Sequence, residues 1–503
     1  FSPVLLIVIF QIAGCNISQS AGQPLEPDVP VRGWMILSDD IEGGMRTISK
    51  APEYNINHLQ ISHQIIHDLR HVRNPERLKV AVKLTDAAHK SGISEVAFWD
   101  HALYDLDYYP DRFKTGPGGT IDLDNPDFWE WLKQDYRDML DMAPDIDALI
   151  LTFIETGARV EEQHSDEMQS DPEKLAAVIN AVSEVIIDEY GMNLYARTFA
   201  YDDEEYNRIV NAIGLFEHDE IRLMMKETPH DFFLTHPQDF YAGQIPRPTI
   251  IEFDATGEYH GQGIVLNTFP GIFLERWSDF LRRDHIIGYV ARTDRYGTTH
   301  IVDRPTEIHL KVLQMYFDNP RTILSDVYHD FITERYGEKA YPMLRQAFEN
   351  SLDITLAAFY SLNTNTANHS RLNYDPYSSS YARHVSGKWL DPTTTYVPRD
   401  VNRKYHYWKD IINTIAPDWA KKGGTQLNEV PKVVEAGWLD EQENMNEAYL
   451  RYILTEKDHG IELARENLEH LDSAKPHLNP DDYEQLNHIF HHTLLTIQIR
   501  REA

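Results

Sequence analysis

An α/β fold is predicted, a TIM (β/α)8 barrel followed by a mainly α-helical C-terminal domain. Two observations carry it. Between Gly33 and Arg304, eight short apolar runs of β type alternate with amphipathic helical stretches, over roughly the length eight βα units need. Beyond Arg304 the strand signals fade and helical periodicity takes over. A doubly wound open sheet is the main competitor, and the GxGxxG fingerprint that favours its dinucleotide-binding version is missing.

Taken in chain order, the first element is not part of the fold. Val4–Ile12 is a short apolar run, too short for a lasting bilayer span. It ends in Ile12-Ala13-Gly14-Cys15, which resembles a bacterial lipobox, so residues 1–15 are expected to be a lipoprotein signal peptide with Cys15 lipidated. Residues 16–32, polar and proline-bearing, read as a tether. This places the protein at a bacterial cell envelope, on the periplasmic or outer-membrane face, touching membrane only through an N-terminal lipid. The single cysteine rules out an intrachain disulfide.

The barrel is expected over 33–304. Its strand runs are Trp34–Leu37, His58–Ser62, Glu95–Trp99, Ala148–Phe153, Asn193–Arg197, Ile221–Lys226, Thr249–Phe253 and Ile286–Val290. Near-continuous apolar runs suit parallel strands covered on both faces. Pro126–Met142, with Phe128, Leu132, Tyr136 and Leu140 at helical spacing, suits the outer ring. The helical domain over 305–503 has periodic stretches at 306–317, 322–336, 341–360, 441–470 and 480–500. Between them, 361–400 is rich in Asn, Ser, Thr, Tyr and His without a regular pattern, and is expected to be a rim or lid over the barrel mouth.

Bulk composition bounds the function. Hydrophobic residues at 42% and charged residues at 25% are ordinary for a globular chain. A formal net charge of −33, with no basic run, argues against nucleic acid as partner. An anionic substrate would need cations concentrated inside the site.

Chemistry in a TIM barrel sits at the carboxyl ends of the strands. Strand four runs into Glu155, strand five ends in Arg197, and strand six ends in Lys226 with Asp231 five residues on. Strand seven leads through Glu252 and Asp254 to Glu258, and strand eight into Arg292, Asp294 and Arg295. Trp99 closes strand three, where an aromatic face can stack on a sugar or pack in the core. Acids on several strand ends can face one another, as glycoside hydrolysis requires: one protonates the leaving oxygen, another activates water or attacks the anomeric carbon. His63, His67 and His71 recur at every fourth position, but no H-E-x-x-H accompanies them. No metal and no cofactor is expected.

From strand four onward the chain resembles glycoside hydrolase family 67, the α-glucuronidases. Lys226-Glu227-Thr228-Pro229-His230-Asp231 is similar to that family's K-N-G-P-x-D, and Glu252-Phe253-(x)4-Glu258-Tyr259-His260-Gly261-Gln262 to its E-F-Q-x-T-Q-E-Y-x-G-Q. The resemblance implies an exo-acting, inverting hydrolase that removes α-linked glucuronic acid, or a related uronic acid, from a glycan oligosaccharide. It implies Glu155 as general acid, Asp231 and Glu258 as the bases that position and deprotonate water, and Arg197 and Lys226 as ligands of the uronate carboxylate. Inversion asks for acid and base carboxyls about 6.5–9.5 Å apart.

Three departures stand beside the resemblance. The family's N-terminal β-sandwich domain has no counterpart ahead of the barrel, and the acid loop reads E-T-G where the family reads E-G. The family's carboxylate-binding lysine, four residues before its acid, is replaced here by Leu151, with Arg159 as a candidate substitute. Two alternatives therefore remain: a glycosidase of the same scaffold for a neutral or other acidic sugar, and a catalytically dead glycan-binding surface lipoprotein.

Overall fold

The computed structural model describes residues 30–153, 155–199, 203–228, 231–234, 238–239, 241–361, 364–365, 370 and 447–502. The lipobox around Cys15, nearly all of the 16–32 tether and most of the 361–400 segment lie outside the described residues. No helix among the described residues is long and apolar enough to cross a membrane.

Eight parallel strands close into a barrel in sequence order. They are β1 (Val31–Ile36), β2 (His58–Ile61), β3 (Glu95–His101), β4 (Ala148–Thr152), β5 (Asn193–Thr198), β6 (Arg222–Lys226), β7 (Thr249–Phe253) and β8 (Ile286–Arg292). The seam joins β1 to β8, with Met35 opposite Arg292. Gly288 sits there because the strands nearly touch: a Cβ on it would lie 1.9 Å from the Val31 carbonyl oxygen.

Alternation along each strand divides the apolar residues between two cores. Met35, Ala97, Trp99, Ile150, Tyr195, Met224, Ile250 and Val290 fill the barrel. Their neighbours Phe98, Leu149, Leu151, Leu194, Leu223, Ile251 and Tyr289 turn outward and pack under the helices. That two-sided burial is why the runs read as continuous rather than alternating.

The helices of the ring are α1 (Ile41–Lys50), α2 (Pro75–Lys90), α3 (Pro126–Leu140), α4 (Asp171–Ser183), α5 (Asp203–Ile213), α6 (Pro270–Phe280) and α7 (Ile308–Asp318). Helix α3 starts where Asn125 caps the Asp127 amide and Pro126 fills the first turn, and it buries Phe128, Leu132, Tyr136 and Leu140. It stops two residues before the predicted Met142, which is exposed.

Two features differ from a regular eightfold repeat. The β6–β7 connection contains no helix among its described residues. Helix α7 takes the eighth ring position, with Phe317 stacked on Trp277 of α6 and Asp318 paired to Arg32 of β1 at 3.2 Å. The ring thus runs past Arg304 into the stretch expected to open the helical domain.

Helices α8 (Leu324–Tyr336), α9 (Tyr341–Glu349), α10 (Ser351–Phe359), α11 (Glu447–Ala474) and α12 (Pro480–Glu502) follow. They brace the loops that follow β6 and β7. Leu266 N donates to Thr493 Oγ1 (2.9 Å), Thr268 N to Ser351 Oγ (3.0 Å), and Leu234 N to the Tyr360 hydroxyl (3.0 Å).

Candidate active site

At the carboxyl ends of the strands lies a cavity of about 170 Å³ lined by His63, Trp99, Glu155, Arg197, Phe199, Lys226, Asp231, Glu258, Tyr259, Arg292 and Arg295. The lining side chains come from the last residues of the strands or from the loops a few residues past them. All three predicted acids are present, on the loops after β4, β6 and β7.

Three buried cations are anchored by carboxylates. Arg197 Nε donates to Glu252 at 2.7 Å, and Arg292 reaches the other oxygen of Glu252 through Nε (2.9 Å) and Nη2 (2.8 Å). Burial alone would raise the Glu252 pKa; Arg197, Arg292 and Lys226 outweigh it and hold this carboxyl below its usual value. Lys226 Nζ donates to Asp231 at 2.7 Å, and its own pKa is lowered by burial. The Tyr259 hydroxyl donates to the second Asp231 oxygen. Glu258 joins two guanidinium groups, Arg292 Nη1 and Arg295 Nε, each at 2.7 Å.

Aromatic faces carry the same cations. The Arg197 guanidinium lies 4.6 Å from the centre of the Trp99 ring, and Lys226 Nζ lies 4.0 and 3.9 Å from the rings of Phe199 and Phe232. Trp99 is fixed from below: its indole N–H donates to Gln60 Oε1 at 2.8 Å, and Gln60 Nε2 meets His58 Nε2 at 3.0 Å. His58 in turn pairs with Glu95 in the barrel floor. A polar column thus runs from the closed end of the barrel to the mouth.

Glu155 differs from the other two acids. It is exposed at the mouth and has a left-handed backbone, with φ of 63°. His63, two residues past β2, also has positive φ, at 45°. Non-glycine residues held in this region commonly mark functional positions. The E-T-G glycine is dictated by packing, since a Cβ on Gly157 would lie 2.8 Å from the Asp105 Cα. His63 is kept neutral by burial first, then by Arg295 and Arg292, which together push its pKa well down.

Around β7 the turn is set by Asp254, which accepts from Thr256 Oγ1 (2.7 Å) and the Glu258 amide (2.5 Å). Burial raises its pKa to about 6. His309 secures the same loop from α7, with Nδ1 2.9 Å from the Ala255 carbonyl and Nε2 accepting from the Phe269 amide at 3.3 Å.

Several sequence readings change. Arg159 is not brought to the cavity: it is paired with Glu161 and Glu205, both at 2.6 Å. Asp294 is a buried latch that accepts from the Leu37 and Ser38 amides (2.8 and 2.9 Å) and does not line the cavity. Leu151 is fully buried in the layer between barrel and helices, so a lysine there would point away from the mouth. Its identity therefore does not bear on carboxylate binding. His63, His67 and His71 do not share an α-helix, and only His63 lines the cavity.

Phe199 and Tyr259 line the cavity without being sequence candidates; in the sequence Arg295 stands out at the end of strand eight and His63 after strand two, but neither is given a role there. Tyr259 lies next to a chosen candidate and gives no separate signal. Away from the cavity, Asp122, Asp124 and His164 bring possible metal-ligand atoms within 4.8 Å of one another, but Asp124 is already taken by Ser165 Oγ and the Asp166 amide.

No family model and no curated protein matches the chain. Among solved structures it is similar to a mutant of the Thermobaculum terrenum O-GlcNAc hydrolase, at TM-score 0.43 and 11% identity over 94% of this chain and 96% of that one. It is also similar to CpGH84B (TM-score 0.46, 11% identity, 95% and 74% coverage) and CpGH84D (0.45, 10%, 94% and 69%).

Proposed function

We propose that the protein is an exo-acting glycoside hydrolase that releases an α-linked uronic acid, glucuronic acid or a close relative, from an oligosaccharide by single displacement with inversion. The observation that carries this reading is the joint presence, around one cavity, of three carboxylates and four cations from different strand ends.

Glu155, the exposed acid at the mouth, protonates the leaving oxygen. Asp231, paired with Lys226, and Glu258, paired with Arg292 and Arg295, position the water and take its proton. Arg197, Lys226, Arg292 and Arg295 are concentrated around one cavity of a strongly acidic chain, and a buried anionic sugar group would complement them. Trp99, its indole fixed by Gln60, carries Arg197 over its ring. The likeness of residues 226–231 and 252–262 to family 67 motifs supports the same roles.

The test is release of free uronic acid from aldouronic acids by the purified protein. Wild-type protein is expected to release it, and Glu155→Gln to slow release by about 100-fold or more while keeping the wild-type melting temperature. Tight binding of these oligosaccharides by wild-type protein without any release would contradict the reading.

A further inference from the structure

The four cations of the cavity are not equally committed. Arg292 spends all three guanidinium nitrogens on Glu252 and Glu258. Lys226 is fully buried against Asp231 and two aromatic rings. Arg197 is buried, its Nε on Glu252, its two Nη groups without a hydrogen-bond acceptor among the described residues, and its guanidinium faces close against Trp99 and Phe199. Arg295 differs from it in exposure. Its side chain keeps 16% of its surface open, the largest share of the four cations. Its Nε holds Glu258, and its two Nη groups have no hydrogen-bond acceptor among the described residues.

Nothing in the family 67 motifs above assigns this residue. A guanidinium whose inner edge is tied to a carboxylate keeps a planar outer edge with parallel N–H donors, the geometry that fits two oxygens of a carboxylate. Tethering through Nε also means that less side-chain freedom is lost when those donors are used. The neighbouring His63 is neutral, so it adds no second charge on that side and can hydrogen-bond a sugar hydroxyl.

We infer that Arg295 is a specificity-determining residue, whose Nη edge receives the sugar carboxylate while its Nε edge keeps Glu258 in place. This rests on the acidic-sugar reading above and assigns the discrimination to a residue after β8. One guanidinium then links recognition of the acidic group to the position of a base. A neutral sugar of the same shape would leave those donors unpaired in a confined site, so it binds less well.

The experiment measures dissociation constants by calorimetry in a Glu155→Gln background, where turnover does not interfere. The ligands are an aldotetraouronic acid and its methyl ester, in which one methyl group removes the charge and the paired carboxylate oxygens. The parent is expected to prefer the acid. Arg295→Met is expected to lose at least about tenfold of that preference, and Arg295→Lys to recover part of it. If Arg295 merely braces Glu258, Arg295→Met weakens both ligands equally and the preference survives; that result overturns the inference and leaves the acidic-sugar reading standing. A parent that binds acid and ester alike overturns both. Comparison of Arg295→Lys with Arg295→Gln keeps the test open if Arg295→Met fails to fold.

Discussion

Glu252 does not line the cavity, yet it aims two arginines that do. It is fully buried, as are most atoms of Arg197 and Arg292, so each charge depends on the other two. Removing one member of such a set leaves unpaired charge in a site that water barely reaches, at about 3–5 kcal/mol. Glu252→Gln is therefore expected to lower the unfolding free energy by that order in urea titrations. Unchanged stability would show the pair to be far better solvated than its burial indicates. The acids and three of the four cavity cations, Arg197, Lys226 and Arg292, were legible in the sequence because strand-end position and motif spacing are local signals. Arg159 and Asp294 misled for the same reason: both sit at the right distance from a strand, and only their neighbours in space, Glu205 for one and the β1 amides for the other, divert them. Arg295 is the converse, a residue whose surroundings come from elsewhere in the chain, Glu258 after β7 and His63 after β2.

The β7–α6 connection is the element on which the site depends most. It carries Glu258 and Tyr259, is turned by Asp254, and is fastened by His309, Ser351 and Thr493 from three separate helices. His309 works only when neutral, because one ring nitrogen must accept from the Phe269 amide. Burial lowers its pKa to about 3, while the unfolded chain protonates near the ordinary histidine value of about 6.5. Its contribution to stability is complete above that value and is lost as pH falls toward the folded pKa. Between pH 7 and pH 5 the wild type should lose about 2 kcal/mol more stability than His309→Gln, as measured by denaturant unfolding at both pH values. Equal losses would mean that His309 is not buried neutral. The strands themselves were read to within a few residues, because two-sided burial writes itself as an apolar run. That the β6–β7 connection holds no helix among its described residues was not foreseen, although Pro229, Pro237, Pro246 and Pro248 punctuate that stretch of sequence.

At the scale of the molecule, the strongly acidic surface and the cationic cavity belong together. A net charge of −33 repels anions from most of the surface, so the cations inside provide local selectivity rather than general attraction. The barrel supplies the strand ends, and the C-terminal helices lock the two loops that carry Asp231 and Glu258. Leu151 shows the limit of reading such an assembly residue by residue: its position in the sequence suggested a lost lysine, but strand alternation turns it toward the helices. The central claim is that Glu155, Asp231 and Glu258 act across a water-filled gap on a uronoside. It is tested most directly by proton NMR of the purified enzyme with an α-1,2-linked aldouronic acid. The β-anomer of free uronic acid is expected to appear first, and Glu155→Gln to abolish its appearance. First appearance of the α-anomer, or release that survives Glu155→Gln, would contradict the claim.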